Sequence, residues 1–168
     1  AILWAAQRKE RSVISTHTIT LQEQLLIKDI PIVCKALNVT IKAVLVKGMR
    51  NYACLRKIEE TRGEQLILHP QEAEEFAKID AWAHNTPDGS KSSLSFEPSS
   101  QIWDKVCAEN DTCNKNHCPY YQDCHFFKAR REAAEAQILI VNHHLLFADL
   151  ASRAESDNYQ DPSILPLY

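Results

Sequence analysis

The chain has 168 residues, of which 45% are hydrophobic and 24% are charged. This length and composition are typical of one soluble globular domain with a buried core, and they argue against a disordered chain. The formal net charge of −3 excludes a protein coated in positive charge, so any contact with nucleic acid must come from local basic patches.

The N-terminal stretch AILWAAQRKERSVIST lacks the basic segment and the cleavage site of a secretory signal. No apolar run approaches the roughly 18 residues of a membrane span. The sequence therefore predicts a cytoplasmic protein with no membrane contact. In that reducing compartment its six cysteines are expected to bind metal or to pack as small hydrophobes. Because the chain is apolar and helical from its first residue, without a capping residue, we expect it to be cut from a longer protein.

Three β-branched runs predict strands: SVIST at 12–16, KAVLVKG at 42–48 and QILIVNHH at 137–144. Between the first two, Thr20 and Glu23 form a capping box. It predicts a helix that begins there, breaks or kinks near Pro31 and ends near Leu37. Continuous apolar strands separated by helices are typical of a buried parallel sheet, so we predict an α/β fold.

From residue 48 to about 135 the strand pattern gives way to helical pieces, polar loops and cysteines. We interpret this stretch as a mostly helical insertion. Within it, EAEEFAKIDAWAHN predicts a helix, whereas NTPDGSKSSLSFEPSS is rich in turn residues and predicts a loop. The helix carries one apolar stripe, formed by Ala73, Phe76, Ile79 and Ala83. Two prolines in the tail, AESDNYQDPSILPLY, argue against a continuing helix.

Three cysteines, Cys113, Cys118 and Cys124, fall within twelve residues. This spacing suits a soft metal, because one short loop can supply several thiolates. A tetrahedral site or a cubane cluster needs a fourth ligand. The CxxC pairs of zinc ribbons are missing, which favours an iron–sulfur cluster over a structural zinc site or free thiols. The spacing leaves four candidates for the fourth ligand: Cys107, Cys54, Cys34 and His117.

Basic residues flank the cysteines, with no acid among residues 47–57. They could stabilise a negatively charged thiolate cluster, or they could neutralise a nucleic-acid backbone. Aromatic residues such as Tyr52 could stack on single-stranded bases or pack around the metal loop. On the helix after Cys124, apolar residues occupy the packing positions, which leaves Lys128 and Arg131 to point outward. The basic residues are Lys47, Arg50, Arg56 and Lys57 near Cys54, and Lys128, Arg130 and Arg131 after Cys124.

Taken in order, four segments resemble the DinG/XPD-type iron–sulfur DNA helicases, closest to the bacterial DinG branch. They are STHTITLQEQLLIKDIP, VKGMRNYACL, the loop CxxxxCPYYxxC and FFKARREAAEAQILIVNHHLL. The resemblance covers nearly the whole chain. It implies a partial RecA-like sheet of motor domain 1, formed by residues 1–47 with the motif Ia region and by residues 136–168. Residues 48–135 would be an iron–sulfur insertion.

The resemblance also implies roles for individual residues. A [4Fe–4S] cluster would be held by Cys54, Cys113, Cys118 and Cys124, with Cys107 and Cys34 as non-ligands. Asn142 and His143, which follow a strand, are expected to make structural hydrogen bonds. The nucleic-acid-binding residues would be Thr16, Thr18 and Gln22 in motif Ia, together with Arg50, Tyr52, Arg56, Lys57, Lys128 and Arg131.

By the same resemblance, the parent would be an ATP-dependent DNA helicase that moves 5′ to 3′ on single-stranded or forked DNA in repair or replication. Glycine occurs only at positions 48, 63 and 89, so the chain has no GxxxxGK[ST] phosphate loop, and it has no DEAH box. We expect those motifs before Ala1 and after Tyr168, with ATP and Mg²⁺ bound only by the parent. The isolated chain should then be inactive. Two alternatives stay open: a zinc-binding structural or interaction module, and an iron–sulfur nuclease related to these helicases.

Overall fold

The computed structural model describes residues 1–63, 69–155 and 165–168. The chain forms two compact units, one made of Ala1–Lys47 with Arg130–Tyr168 and the other of Gly48–Ala129. The assignment of these units to a motor domain and a cluster insertion stays a prediction. Among the described residues, no helix combines the length and the apolar character that crossing a membrane requires.

The first unit is built on a three-stranded parallel sheet with the strand order β1, β3, β2. The central strand is buried on both faces, with Leu139 and Val141 in one apolar cluster and Ile138 and Ile140 in another. Each predicted β-branched run forms a strand, and the α/β fold class with a parallel sheet is confirmed. The strands are β1 Ser12–Thr16, β2 Ala43–Leu45 and β3 Ile138–Asn142.

The helices of the first unit cover this sheet with their apolar residues. Ala5 and Ile30 pack in the cluster that contains Ile138 and Ile140. The helix after β3 begins at once, because the Asn142 side-chain oxygen accepts a hydrogen bond from the Leu145 amide at 2.6 Å. These helices are α1 Ile2–Arg8, α2 Ile19–Gln24, α3 Ile30–Leu37 and α8 His143–Glu155.

The helix after β1 begins earlier than the capping box predicts. Thr18 is the capping residue: its backbone is extended, and its hydroxyl accepts a hydrogen bond from the Leu21 amide at 3.3 Å. Thr20 already lies inside the helix, which begins at Ile19. The predicted capping box of Thr20 and Glu23 is therefore wrong, because the extended conformation that a cap requires occurs two residues earlier.

The break predicted near Pro31 takes the form of a π-helical turn at Leu25–Asp29. Proline has no amide hydrogen for the carbonyl four residues before it, and its ring would clash with that carbonyl. The π turn opens the helix at this point, so that the Ile30 amide bonds to the Leu25 carbonyl. α3 then continues to Leu37, as predicted, and ends at Asn38 in the left-handed conformation.

The second unit is a helical core around fully buried apolar side chains, among them Ile58, Phe76, Ile102 and Val106. The predicted stripe on α5 is confirmed by the burial of Phe76, Ile79 and Ala83. The polar stretch after α5 is a loop with a short 3-10 turn at Lys91–Ser93. The helices are α4 Leu55–Gly63, α5 Pro70–Ala83, α6 Ser100–Val106 and α7 His125–Glu135, whose last residues belong to the first unit.

A buried ion pair on α8 fastens the last described residues. Asp149 and Arg153 are 0% and 3% exposed, and they approach to 2.7 Å. Asp149 accepts the Leu165 amide and Arg153 donates to the Leu165 carbonyl, both at 2.7 Å, while the Tyr168 hydroxyl donates to Asp149 at 3.0 Å. Burial disfavours the charged carboxylate, but these hydrogen bonds outweigh it and lower the pKa of Asp149. The prediction of a non-helical tail falls mainly on 156–164, outside the described residues.

We expect Asp149→Asn to lower the free energy of unfolding by about 3–5 kcal/mol, because it removes the buried carboxylate that Arg153 and the Leu165 amide bind. Urea titration measures this. In the unchanged protein, the lowered pKa of Asp149 makes the charged carboxylate stabilise the fold. This stabilisation is complete above the ordinary carboxyl pKa of about 3.9, and it is lost as the pH falls through the pKa of the folded state. Adding Arg153→Met to Asp149→Asn should restore part of the stability. Fully additive losses would contradict this interpretation.

A second prediction concerns Gly89, which has a φ of +60° and packs against the His125 ring. A Cβ at this position would lie 2.1 Å from His125 Cγ, and that ring is held by a 3.0 Å hydrogen bond to the Ala83 carbonyl. Gly89→Ala should cost more than the roughly 1–2 kcal/mol of a left-handed backbone alone. The matched control is Gly63→Ala, because none of the residues that the structure describes lies within 4 Å of its Cβ position. Similar thermal stability of the two variants would contradict the packing described.

Candidate metal centre and nucleic-acid interface

The four predicted cluster ligands all lie in the second unit, and each is a partly buried free thiol. Cys54 directly precedes α4, and Cys124 directly precedes α7. Cys118 ends the 3-10 turn at Lys115–His117, and Cys113 lies two residues before that turn. Two of the four thiols therefore stand at helix N-termini, where backbone amides have no partner within the helix.

Backbone amides point at three of these thiols. Cys54 accepts from the amides of Lys57 and Arg56, and Cys124 accepts from those of Phe127 and Phe126. The Lys115 amide donates to Cys113 Sγ at 3.4 Å. Such donors stabilise a thiolate, which is the form that binds a metal.

The thiols also lie close enough to affect one another. Burial is the main cause that raises the pKa of Cys54 and of Cys124. Cys118 adds to the rise at Cys54, and both Cys54 and Cys113 add to the rise at Cys124. Over residues 1–63, 69–155 and 165–168, no three His, Cys, Asp or Glu side chains are arranged as a metal-binding group. The structure thus gathers four thiols in one region without forming a coordination shell.

Cys107 has a different environment. It is fully buried beside Trp103 in the core of the second unit, and its thiol donates to the Asp104 carbonyl at 3.9 Å. Burial raises the pKa of Cys107, and the charges that act on it come from Arg50, Lys57, Asp104 and Glu109. Its surroundings therefore favour a neutral thiol, which agrees with a packing role. Cys34 lies on α3 in the first unit.

Two of the cations near Cys54 are bound to acids that are distant in sequence. Arg50 binds Asp104 and Glu109, each at 2.7 Å, and Lys57 binds Glu109 at 2.6 Å. The hydrogen bond from Arg50 to Asp104 raises the pKa of Arg50, and the bond from Lys57 lowers that of Glu109. The sequence shows no acid among residues 47–57, but folding supplies two from more than 50 residues away.

The predicted DNA-contacting residues of α7 and of the lead-in to Cys54 differ in exposure. Tyr52 is only 4% exposed, and its ring packs edge-on against Phe126 at 5.9 Å, which favours packing over base stacking. The Arg56 and Lys57 side chains are 19% and 12% exposed. On α7, Arg131 is exposed and Lys128 is 46% exposed, with Asp123 at 3.3 Å.

The motif Ia residues lie at the carboxyl end of β1. Thr18 is exposed and caps α2, whereas Thr16 is buried and donates to the Thr18 carbonyl at 3.3 Å. Gln22 is 2% exposed, and its side-chain nitrogen has no hydrogen-bond partner within the described part of the chain. Carboxyl ends of parallel strands are frequent ligand-binding positions. In this structure only Thr18 of the three presents its side chain at the surface.

The structure adds a contact that sequence reasoning missed. Ser15 Oγ and His143 Nδ1 lie 2.6 Å apart and connect the ends of β1 and β3. The Asn142 side chain caps α8, so both Asn142 and His143 make structural hydrogen bonds. The parallel register pairs Thr16 with Asn142. Ser15 and His143 are the sequence neighbours of this pair, so knowledge of the register would have indicated their contact.

Comparison with known proteins finds relatives that are named as ATP-dependent helicases. The chain is 38% identical over 147 residues to the ATP-dependent DNA helicase YoaA of Escherichia coli K12, a match that covers 87% of this chain. It is 33% identical over 143 residues, 84% of the chain, to YoaA of Haemophilus influenzae. It is 30% identical over 160 residues, again 84% of the chain, to the ATP-dependent helicase DinG of Mycobacterium tuberculosis.

The chain spans less than a quarter of these relatives, with matches to 23%, 22% and 24% of their lengths. No protein-family model matches it. The matched region includes most of the chain, and so it extends through both the parallel sheet and the helical unit that carries the four thiols. The resemblance drawn from the motifs is confirmed, and the chain belongs to the DinG/XPD-type helicase family.

Proposed function

We propose that the full-length protein containing this chain is an ATP-dependent DNA helicase that acts in the cytoplasm in DNA repair or replication. The observation that carries this proposal is the match of most of the chain to relatives named as ATP-dependent DNA helicases. Residues 1–47 and 136–168 would belong to a RecA-like motor domain, and residues 48–135 to a cluster insertion. ATP and Mg²⁺ would be bound by parts of the protein outside this chain.

We further propose that Cys54, Cys113, Cys118 and Cys124 hold a structural [4Fe–4S] cluster. The donor set supports this, because four thiols share one region and three of them accept backbone amides. When bound, the cluster would supply covalent cross-links between α4, the loop after α6 and the start of α7. The residues of the chain would stabilise and protect the cluster. Backbone amides and nearby cations would stabilise the thiolates, and partial burial would limit the access of water.

Single-stranded DNA is the proposed nucleic-acid partner, at a single-stranded region or a fork. Lys128 and Arg131 are exposed on α7 and would neutralise phosphates, while Thr18 would present its hydroxyl at the carboxyl edge of the sheet. Arg50 is 61% exposed and could exchange Asp104 for a phosphate. Thr16, Gln22 and Tyr52 are buried and would support these contacts from within.

The test of the proposed function is unwinding by the full-length protein. Two labelled DNA substrates differ only in carrying a 5′ or a 3′ single-stranded arm. The protein should separate the strands of the substrate with the 5′ arm when ATP is present, and it should not separate those of the other. The isolated chain should hydrolyse no ATP, because it has no phosphate loop. Degradation of the strands without unwinding would instead support a nuclease, and preference for the 3′ arm would contradict the polarity.

Cysteine variants test the ligand assignment. Cys118→Ser should abolish the brown colour and the acid-labile sulfide of the anaerobically purified full-length protein, because one of four ligands is lost. Cys107→Ser is the matched control and should retain both, since the Cys107 thiol is buried in the apolar core. Equal cluster loss in the two variants would contradict the ligand set. Colourless wild-type protein that contains zinc would contradict the cluster itself.

A further inference from the structure

The loop that leads to Cys113 is attached to α4 and to the residues just before it. Near α6 the attachment is by backbone: Ala53 and Cys107 form an isolated antiparallel bridge, and the Ala108 amide bonds to the Tyr52 carbonyl at 2.8 Å. Beyond Ala108, two side chains of α4 make the contacts to this loop. These side chains are Arg56 and Lys57, which lie two and three residues after Cys54.

Arg56 contacts the residue directly before Cys113. One end of its guanidinium donates to the Thr112 carbonyl at 2.6 Å, and the other end binds Glu60 on the same helix. Because the Thr112 carbonyl and the Cys113 nitrogen belong to one planar peptide unit, a donor held on this oxygen restrains the position of both. Arg56 therefore connects the orientation of one predicted ligand to the helix that follows another.

Lys57 makes a second contact to the same loop. Its ammonium binds Glu109 at 2.6 Å, with the lysine side chain 12% exposed and the glutamate 27% exposed. Arg50 binds the other oxygen of Glu109. Since Arg56 is also only 19% exposed, neither α4 cation is presented to solvent as a residue that grips phosphate would be.

We propose that Arg56 and Lys57 are positioning residues for the metal centre, which hold the Cys113 loop against α4 so that Cys113 and Cys54 face a common cluster. The proposal rests on the proposed iron–sulfur site, and it assigns these two cations a role other than DNA contact. Arg56 acts through the Thr112 carbonyl, and Lys57 acts through Glu109. The positive charge of Arg56 also acts on Cys54, which adds to the stability of the filled site.

Cluster retention in the full-length protein tests this role. Arg56→Met keeps an unbranched side chain but removes the hydrogen-bond donors. In the presence of a chelator, the variant should lose its visible absorbance about tenfold faster than the wild type. This factor corresponds to one lost hydrogen bond to a charged group. The matched control is Arg62→Met. Arg62 is on the same helix and binds Glu59 and Asp80 instead of the loop, so its variant should stay within about twofold of the wild type. Equal rates for the wild type and Arg56→Met would overturn the proposal.

Arg56→Lys separates positioning from charge. It keeps the positive charge but loses the planar fork that joins Thr112 to Glu60, so it should lose the cluster nearly as fast as Arg56→Met. Retention equal to the wild type would mean that charge alone suffices, which overturns the positioning role. If the Arg56 variants fail to fold, Lys57→Met and Glu109→Gln replace them. Each should speed cluster loss, and the double variant should do no more than Glu109→Gln alone, since Glu109 is the partner through which Lys57 reaches the loop.

DNA affinity gives the second readout. With the cluster still fully bound, Arg56→Met should bind single-stranded DNA within about twofold of the wild type, whereas Lys128→Gln should weaken binding and reduce the salt slope by about 0.7. A similar reduction for Arg56→Met would assign Arg56 to DNA and overturn the proposal. Wild-type protein without iron would overturn the cluster and this inference together. A four-iron wild type with an Arg56→Met variant of equal retention would overturn the inference alone.

Discussion

The first unit depends on the burial of a single strand, β3. Its two faces belong to two different apolar clusters, and its two edges bond to β1 and β2. A central parallel strand must be paired on both sides, because an unpaired backbone amide or carbonyl in the core is costly. β3 comes more than 90 residues after β2 in the chain. Loop-closure entropy rises only with the logarithm of length, so a separate folded unit can occupy that interval at modest cost.

In the second unit, two of the four thiols lie at helix N-termini. The residues that directly precede α4 and α7 are both cysteines, so amides that every helix leaves unpaired become donors to sulfur. Serine or aspartate would cap these helices equally well. The choice of cysteine is thus unexplained by helix formation, and it agrees with the cluster that we propose. Cys107 provides the contrast within this unit. It ends α6 and packs in the core, where burial is the main cause that raises the pKa of its thiol.

The sequence predicted the parts of this structure that depend on local pattern. The strands, the stripe on α5 and the end of α3 at Leu37 all follow from periodicity and propensity. Thr20 with Glu23 matches the capping-box pattern, but Thr18 can cap as well, and only the backbone conformation selects Thr18. The partners of the basic residues could not be predicted, since Glu109 and the Thr112 carbonyl meet α4 across more than 50 residues. By contrast, the Asp149 and Arg153 pair has the spacing of one helical turn and could have been found.

The π-helical turn at Leu25–Asp29 makes an exposed stretch sensitive to length. Ile27 in this turn is 75% exposed, so its side chain is free to vary. The number of residues is constrained, because each residue rotates a helix by about 100°. Because Pro31 cannot donate to the carbonyl four residues before it, deleting one residue would not restore regular bonding, and it would turn Ile30 and Cys34 away from the cluster that contains β3. Substitutions of Ile27 should therefore be tolerated more readily than insertions or deletions in this turn, where Leu25 and Leu26 pack against the cluster.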